Sequence, residues 1–206
     1  MIGESLEMFR ATRARTLGMA EGLSQAQLDF APAPGRWSAG EVFDHMLLAE
    51  RMNRQQFVEL IELRRSGRRP ELRRGFADVN VSVAYLPKSL LPLLEVPLTV
   101  LNMFVPVGVR EAVMRNRSIP AQNPDAATPR RGRPAAELRR ELASSLEETR
   151  ALFDANPGID YRAMFVAHPL LGGNDVNGLL RFLALHEQRH QSQIAEILSA
   201  PRFPEG

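Results

Sequence analysis

Leu185-His186-Glu187-Gln188-Arg189-His190-Gln191-Ser192-Gln193-Ile194 places two histidines four residues apart among apolar and polar neighbours. It sits inside a longer series, Val176, Leu179, Leu183, His186, His190, Gln193 and Ile197. The steps of that series alternate three and four, which keeps one stripe of a helix turned toward a partner. Two members of the stripe are imidazoles, at positions that otherwise hold core side chains. Histidines at i and i+4 bring their rings to one side of a helix, at a separation suited to sharing a metal ion.

A second helix shows the same oddity. Trp37-Ser38 precedes it, with Ser38 a good N-cap and Glu41 three residues on to complete a capping box. Its apolar residues run from Val42 to Ile61 and stop at Gly67 and Pro70, and His45 is the polar member of the stripe Val42, His45, Ala49 and Met52. Each inward imidazole without a partner would cost on the order of 1 to 3 kcal/mol, and a shared ion satisfies all three at once. Three neutral imidazoles would also leave a coordination position for water or substrate, which is the catalytic arrangement.

Two further helices complete the outline. Ile2, Leu6, Phe9, Leu17 and Ala20 mark one apolar stripe from the start of the chain to about Gly22, interrupted only by Arg13. Leu138, Leu142, Ser145, Thr149, Leu152 and Phe153 mark another after Pro134, ending near Asn156-Pro157-Gly158. A loop carrying His168-Pro169 and Gly172-Gly173 then leads to the last helix, capped by Asn174 or Asp175 and ending before Pro201. Four amphipathic helices of roughly twenty residues predict an all-α four-helix bundle, and no strand-rich segment competes.

His186 to His190 also spells HExxH, the zinc-protease motif in which the glutamate is the general base. The residues after His190 supply neither a later helix with a third ligand nor another histidine, so the protease reading is set aside.

Composition narrows the function classes. The chain has 206 residues, 44% of them hydrophobic and 24% charged, which fits a single soluble domain spanning 1–206. Lys88 is the only lysine among 26 basic residues, so arginine sets the high pI of about 9.6 while the net charge is only +2. No general pull toward nucleic acid follows. Six arginines between Arg64 and Arg74 are interrupted by Glu71 and carry no aromatic stacking series, so nucleic acid is not an expected partner. There is no cysteine, which removes disulfides, thiolate metal sites and cysteine nucleophiles and leaves histidine and carboxylate as metal ligands. Glu4, Glu7, Arg10, Arg13 and Arg15 break any apolar secretory core at the N-terminus, so a cytoplasmic location is expected.

Residues 67–133 are rich in proline and read as an irregular, partly helical insertion between helices two and three, serving as a lid, a dimer face or a partner surface. Within it, Ser89 to Val107 is mostly apolar, but Glu95, Asn102 and three prolines interrupt it, so no transmembrane span is expected.

With Trp37-Ser38-Ala39-Gly40-Glu41 leading to His45, the stretch from Leu185 to Ile194, and the His168-Pro169-Leu170-Leu171-Gly172-Gly173 segment, the sequence resembles the DinB-like superfamily. The resemblance covers residues 1–66 and 130–200. It implies a four-helix bundle that binds a divalent metal, commonly zinc or nickel, through His45, His186 and His190, with Gln193 matching the family's usual glutamine. Implied activities are metal-dependent hydrolysis or S-transfer with a low-molecular-weight thiol cosubstrate, on a small-molecule substrate, in a homodimer. In such chemistry Glu187 or Glu41 would take a proton, and His168 would approach the open face of the site. The competing class is a noncatalytic interaction or lipid-surface protein whose metal is structural or absent.

Overall fold

The structure is a computed structural model, and it describes residues 2–74, 108–109, 127–168 and 172–205. Four long helices dominate: α1 (Ile2–Ala20), α3 (Ala39–Arg65), α4 (Ala135–Asp154) and α5 (Val176–Leu198). Both α1 and α3 pack against α4 and α5, so the four close a ring around a common interior, as in a four-helix bundle. The apolar stretch at 89–107 lies outside the described residues, as does most of 67–133. No helix among the described residues is long and apolar enough to cross a membrane.

Local chemistry explains the helix ends. Ser38 accepts from the Glu41 N–H at 3.2 Å, and Glu41 Oε2 accepts from the Ser38 N–H at 2.9 Å, closing the capping box that starts α3. Asp175 Oδ1 accepts from the Gly178 N–H at 2.7 Å and starts α5. Gly67 follows α3 at φ 72°, a conformation that costs a residue with a Cβ. A short α2 (Gln25–Asp29), which the sequence reading passed over, has its own capping box between Ser24 and Gln27. It lies so close to α3 that a Cβ on Gly40 would meet the Leu28 carbonyl oxygen at 3.1 Å.

A small sheet, of which the helix periodicity gives no sign, accompanies the four helices. β1 (Glu71–Arg73), β2 (Phe165–His168) and β3 (Gly172–Asp175) make a three-stranded sheet in that order, β1 parallel to β2 and β2 antiparallel to β3. The two described flanks of the segment read as a loop around His168 are therefore paired antiparallel strands, with His168 opposite Gly172. These strands are three or four residues long and too short to show a period against the arginines and glycines around them. Their buried members, Leu72 and Val166, join Phe57, Leu60, Ile61 and Val176 in one apolar cluster.

The core is split into two clusters. One contains Phe9, Phe57, Leu60, Phe153, Leu179, Leu180 and Leu183; the other contains Ala20, Val42, Phe43, Met46, Leu47, Leu138, Leu142, Ile194 and Ile197. Between Phe9 and Ala20 on α1 lies Arg13, fully buried, so the residue read as an interruption of the stripe points into the interior. Its Nε and Nη2 each donate to Glu187 at 2.9 Å, Nη2 donates to Glu50 at 2.9 Å, and Nη1 donates to the Leu142 carbonyl at 2.8 Å. Thr16 donates to Glu187 at 2.5 Å and Thr149 to Glu50 at 2.7 Å. Arg54, 3.8 Å from Glu50, balances the second carboxylate.

Removing Arg13 would leave two buried carboxylates short of their cation, and breaking a buried pair from one side typically costs about 3 to 5 kcal/mol. Arg13→Ala is therefore expected to lower the urea midpoint by a large fraction of total stability, while Arg10→Ala, which removes an exposed pair with Glu7, leaves it nearly unchanged.

Candidate metal centre

The polar layer continues from the ion pairs into the imidazoles. On α5, Leu183 and Ala184 belong to one apolar cluster and Ile194 to the other, and His186, Glu187, His190 and Gln191 occupy the turns between them. Opposite, α3 presents His45 next to Met46 and Leu47. The three histidines predicted from spacing are brought together: their ligand nitrogens all lie within 4.8 Å of one another. His186 Nε2 is 3.2 Å from His45 Nε2 and 3.2 Å from His190 Nε2. Two imidazole nitrogens on one tetrahedral zinc, each about 2.0 to 2.1 Å from it, would be about 3.3 Å apart.

The outer ring nitrogens decide which protons are present. His45 Nδ1 lies 2.8 Å from the Ala127 carbonyl, which can only accept, so the neutral ring carries its proton on Nδ1 and turns a lone pair inward at Nε2. His190 Nδ1 is 2.9 Å from Gln193 Oε1 and takes the same tautomer. His186 Nε2 thus faces two lone pairs, and a single proton on it can satisfy only one of them. A cation at that point could be shared by all three, so the donor set fits a divalent ion.

Burial disfavours the charged forms of His45 and His186. His45 and His190 are almost wholly buried and His186 is half-buried. The pKa of His186 is pushed well below the ordinary imidazole value, first by burial and then by the charges His190 and His45 would carry. Burial also lowers His45, against the opposing pull of the Ala127 carbonyl and Asp44. Trp37 packs on His45 with ring centroids 5.0 Å apart, and Phe182 stacks on His186 at 5.8 Å.

The remaining predicted site residues lie elsewhere. Glu187 is buried, but both of its oxygens accept from Arg13, one of them also from Thr16, on the α1 side of α5. Glu41 is engaged in the capping box of α3, one turn before His45. His168 ends β2, and its side chain lies outside the described residues.

Sequence reasoning missed the support behind His45. Asp44 is buried; its Oδ2 accepts from the Arg130 N–H at 2.7 Å and its Oδ1 from Arg133 at 2.6 Å. Arg133 also binds Glu137 and Glu141. These bonds hold residues 127–133, the end of the stretch read as an insertion, against α3, so that Ala127 meets His45. A polar residue next to a ligand was the only available signal, and it carried no indication of a partner 89 positions away.

A sequence profile described as the DinB superfamily matches residues 8–194. The chain belongs to the DinB superfamily. The match runs through residues 67–129, which the quoted motifs leave out. No curated protein and no solved structure matches this DinB-superfamily chain.

An imidazole whose pKa is depressed on folding binds its proton first in the unfolded chain. The unfolded state then carries more protons, and stability falls as the pH drops below the ordinary value of 6.5. Metal-free protein is expected to lose unfolding free energy from about pH 6.5 downward, and His186→Gln to flatten that slope, as read by urea denaturation across pH 5 to 8.

Proposed function

We propose that this DinB-superfamily protein holds one divalent metal ion, zinc or nickel, on His45, His186 and His190, and is an enzyme of the hydrolase or low-molecular-weight-thiol S-transferase type acting on a small molecule. The observation that carries the reading is the pair of inward lone pairs on His45 and His190, 3.2 Å from the Nε2 of His186, with tautomers set by Ala127 and Gln193. Three protein ligands leave a position open, as catalytic sites do. A divalent ion there supplies Lewis acidity, lowering the pKa of a water or of an external thiol. With no cysteine in the chain, any thiol comes from a cosubstrate.

The chain's own groups have separate tasks in this reading. Ala127 and Gln193 fix the ring orientations and raise the basicity of the ligand nitrogens. Trp37 and Phe182 shield the ring faces from water. Glu41 stands at i−4 from His45, on the same side of α3, which suits it to accept a proton from substrate. His168, at the end of β2, is the second proposed proton carrier. Glu187 is spent on Arg13 and Thr16, which supports an anchoring role for it rather than that of a base. A cytoplasmic homodimer with 67–133 inserted between α3 and α4 is the organisation that accompanies this reading.

Elemental analysis of tag-free protein tests it. Near one equivalent of metal per chain is expected in the parent and little in His45→Ala or His186→Ala. Asp44→Ala, which frees Ala127 from its support, is expected to weaken metal affinity by about tenfold or more. If the parent takes up no metal on titration, the histidines are core polar groups and the noncatalytic reading replaces this one. With metal established, esters, amides and thiol cosubstrates are the substrates to screen, and chelation is expected to abolish turnover.

A further inference from the structure

Arg36, Arg131 and Arg202 come from three distant parts of the chain and line one groove of about 540 Å³. All three are exposed, and among the described residues none has a carboxylate within ion-pair distance. Elsewhere Arg13, Arg54, Arg74, Arg133 and Arg150 each sit on a glutamate or aspartate. The one acid among the described residues that line the groove, Glu41, is bound to the Ser38 N–H. Three cations therefore face one anion.

The backbone beneath Arg131 and Arg202 is held in place. Arg131 lies between Arg130 and Arg133, both fastened to Asp44. The segment that carries Arg202 is fixed by the edge-to-face contact of Phe203 with Phe30, ring centroids 5.5 Å apart, and by Gln27 donating to the Pro204 carbonyl at 3.0 Å. Phe30, Pro32, Pro34 and Trp37 give the groove apolar walls. Trp37 is shared with the metal centre, since its other contact is the ring of His45.

Guanidinium groups pair with carboxylate and phosphate through two parallel N–H donors, and a space of this size suits a small molecule rather than a macromolecule. We propose that the groove is a subsite for the carboxylate or phosphate end of a small organic anion whose apolar part lies on Phe30 and Trp37. As a substrate subsite it rests on the metal-dependent reading above; as an anion site it stands without the metal.

Trp37 is the only tryptophan, so its emission reports on the groove directly. In metal-free protein at constant ionic strength, phenyl phosphate and benzoate are titrated against Trp37 emission and ligand saturation-transfer NMR, with benzyl alcohol as the neutral control. Saturable binding of at least one anion is expected, with none for benzyl alcohol. The tighter of the two identifies the preferred headgroup. Arg131→Gln and Arg202→Gln, both at exposed positions, are expected to raise the dissociation constant by about fivefold or more without changing thermal unfolding. No saturable binding of either anion, or binding unchanged in both variants, overturns the proposal. Because the titration is done without metal, failure of the metal centre leaves this result unaffected.

Discussion

A guanidinium group taken completely out of water holds this fold in register. Arg13 reaches Glu187 on α5, Glu50 on α3 and the Leu142 carbonyl of α4, so one side chain of α1 contacts every other long helix. Desolvating such ions costs several kcal/mol each, and the cost is offset only when every lone pair and proton finds a partner. Thr16, Thr149 and Arg54 supply the remaining partners. A shift of any helix by one turn would strand a charge, and for that reason the layer selects one alignment of the four helices even where apolar packing would tolerate others.

The imidazole cluster inherits its geometry from that alignment. Glu187 lies between His186 and His190 in sequence, so fastening it to Arg13 also fixes the rotation of α5 and turns both histidines toward α3. From the other side, Asp44 draws residues 127–133 onto α3 and brings the Ala127 carbonyl to His45. The acidic residues beside these histidines act as braces on either flank, each bonded to an arginine.

The small sheet plays a different part. It closes the end of the bundle where α3 finishes and α5 begins, burying Leu72, Val166 and Met164 over Phe57, Leu60 and Val176. Parallel pairing of β1 with β2 ties the chain leaving α3 to the hairpin before α5. Both described ends of the 67–133 stretch are thus fastened to the bundle, one to the sheet and one to Asp44 and His45.

The four long helices, the Ser38 capping box and the three histidines are legible in the sequence alone, because helix period and cap chemistry are local properties read within a few residues. The Ser38 cap, the His45 stripe and the His186–His190 pair required nothing distant to be seen. The sequence leaves open that Arg13 faces inward, that Glu187 binds Arg13, and that Asp44 holds the segment against His45, since an arginine on an apolar stripe looks like a flaw until its carboxylates appear from 37 and 174 positions away. The strands escaped for a related reason: three residues hold no period, and β1 exists only because β2 lies beside it. Those assignments needed the folded chain, because pairing of buried charges and of strands depends on which distant segments meet.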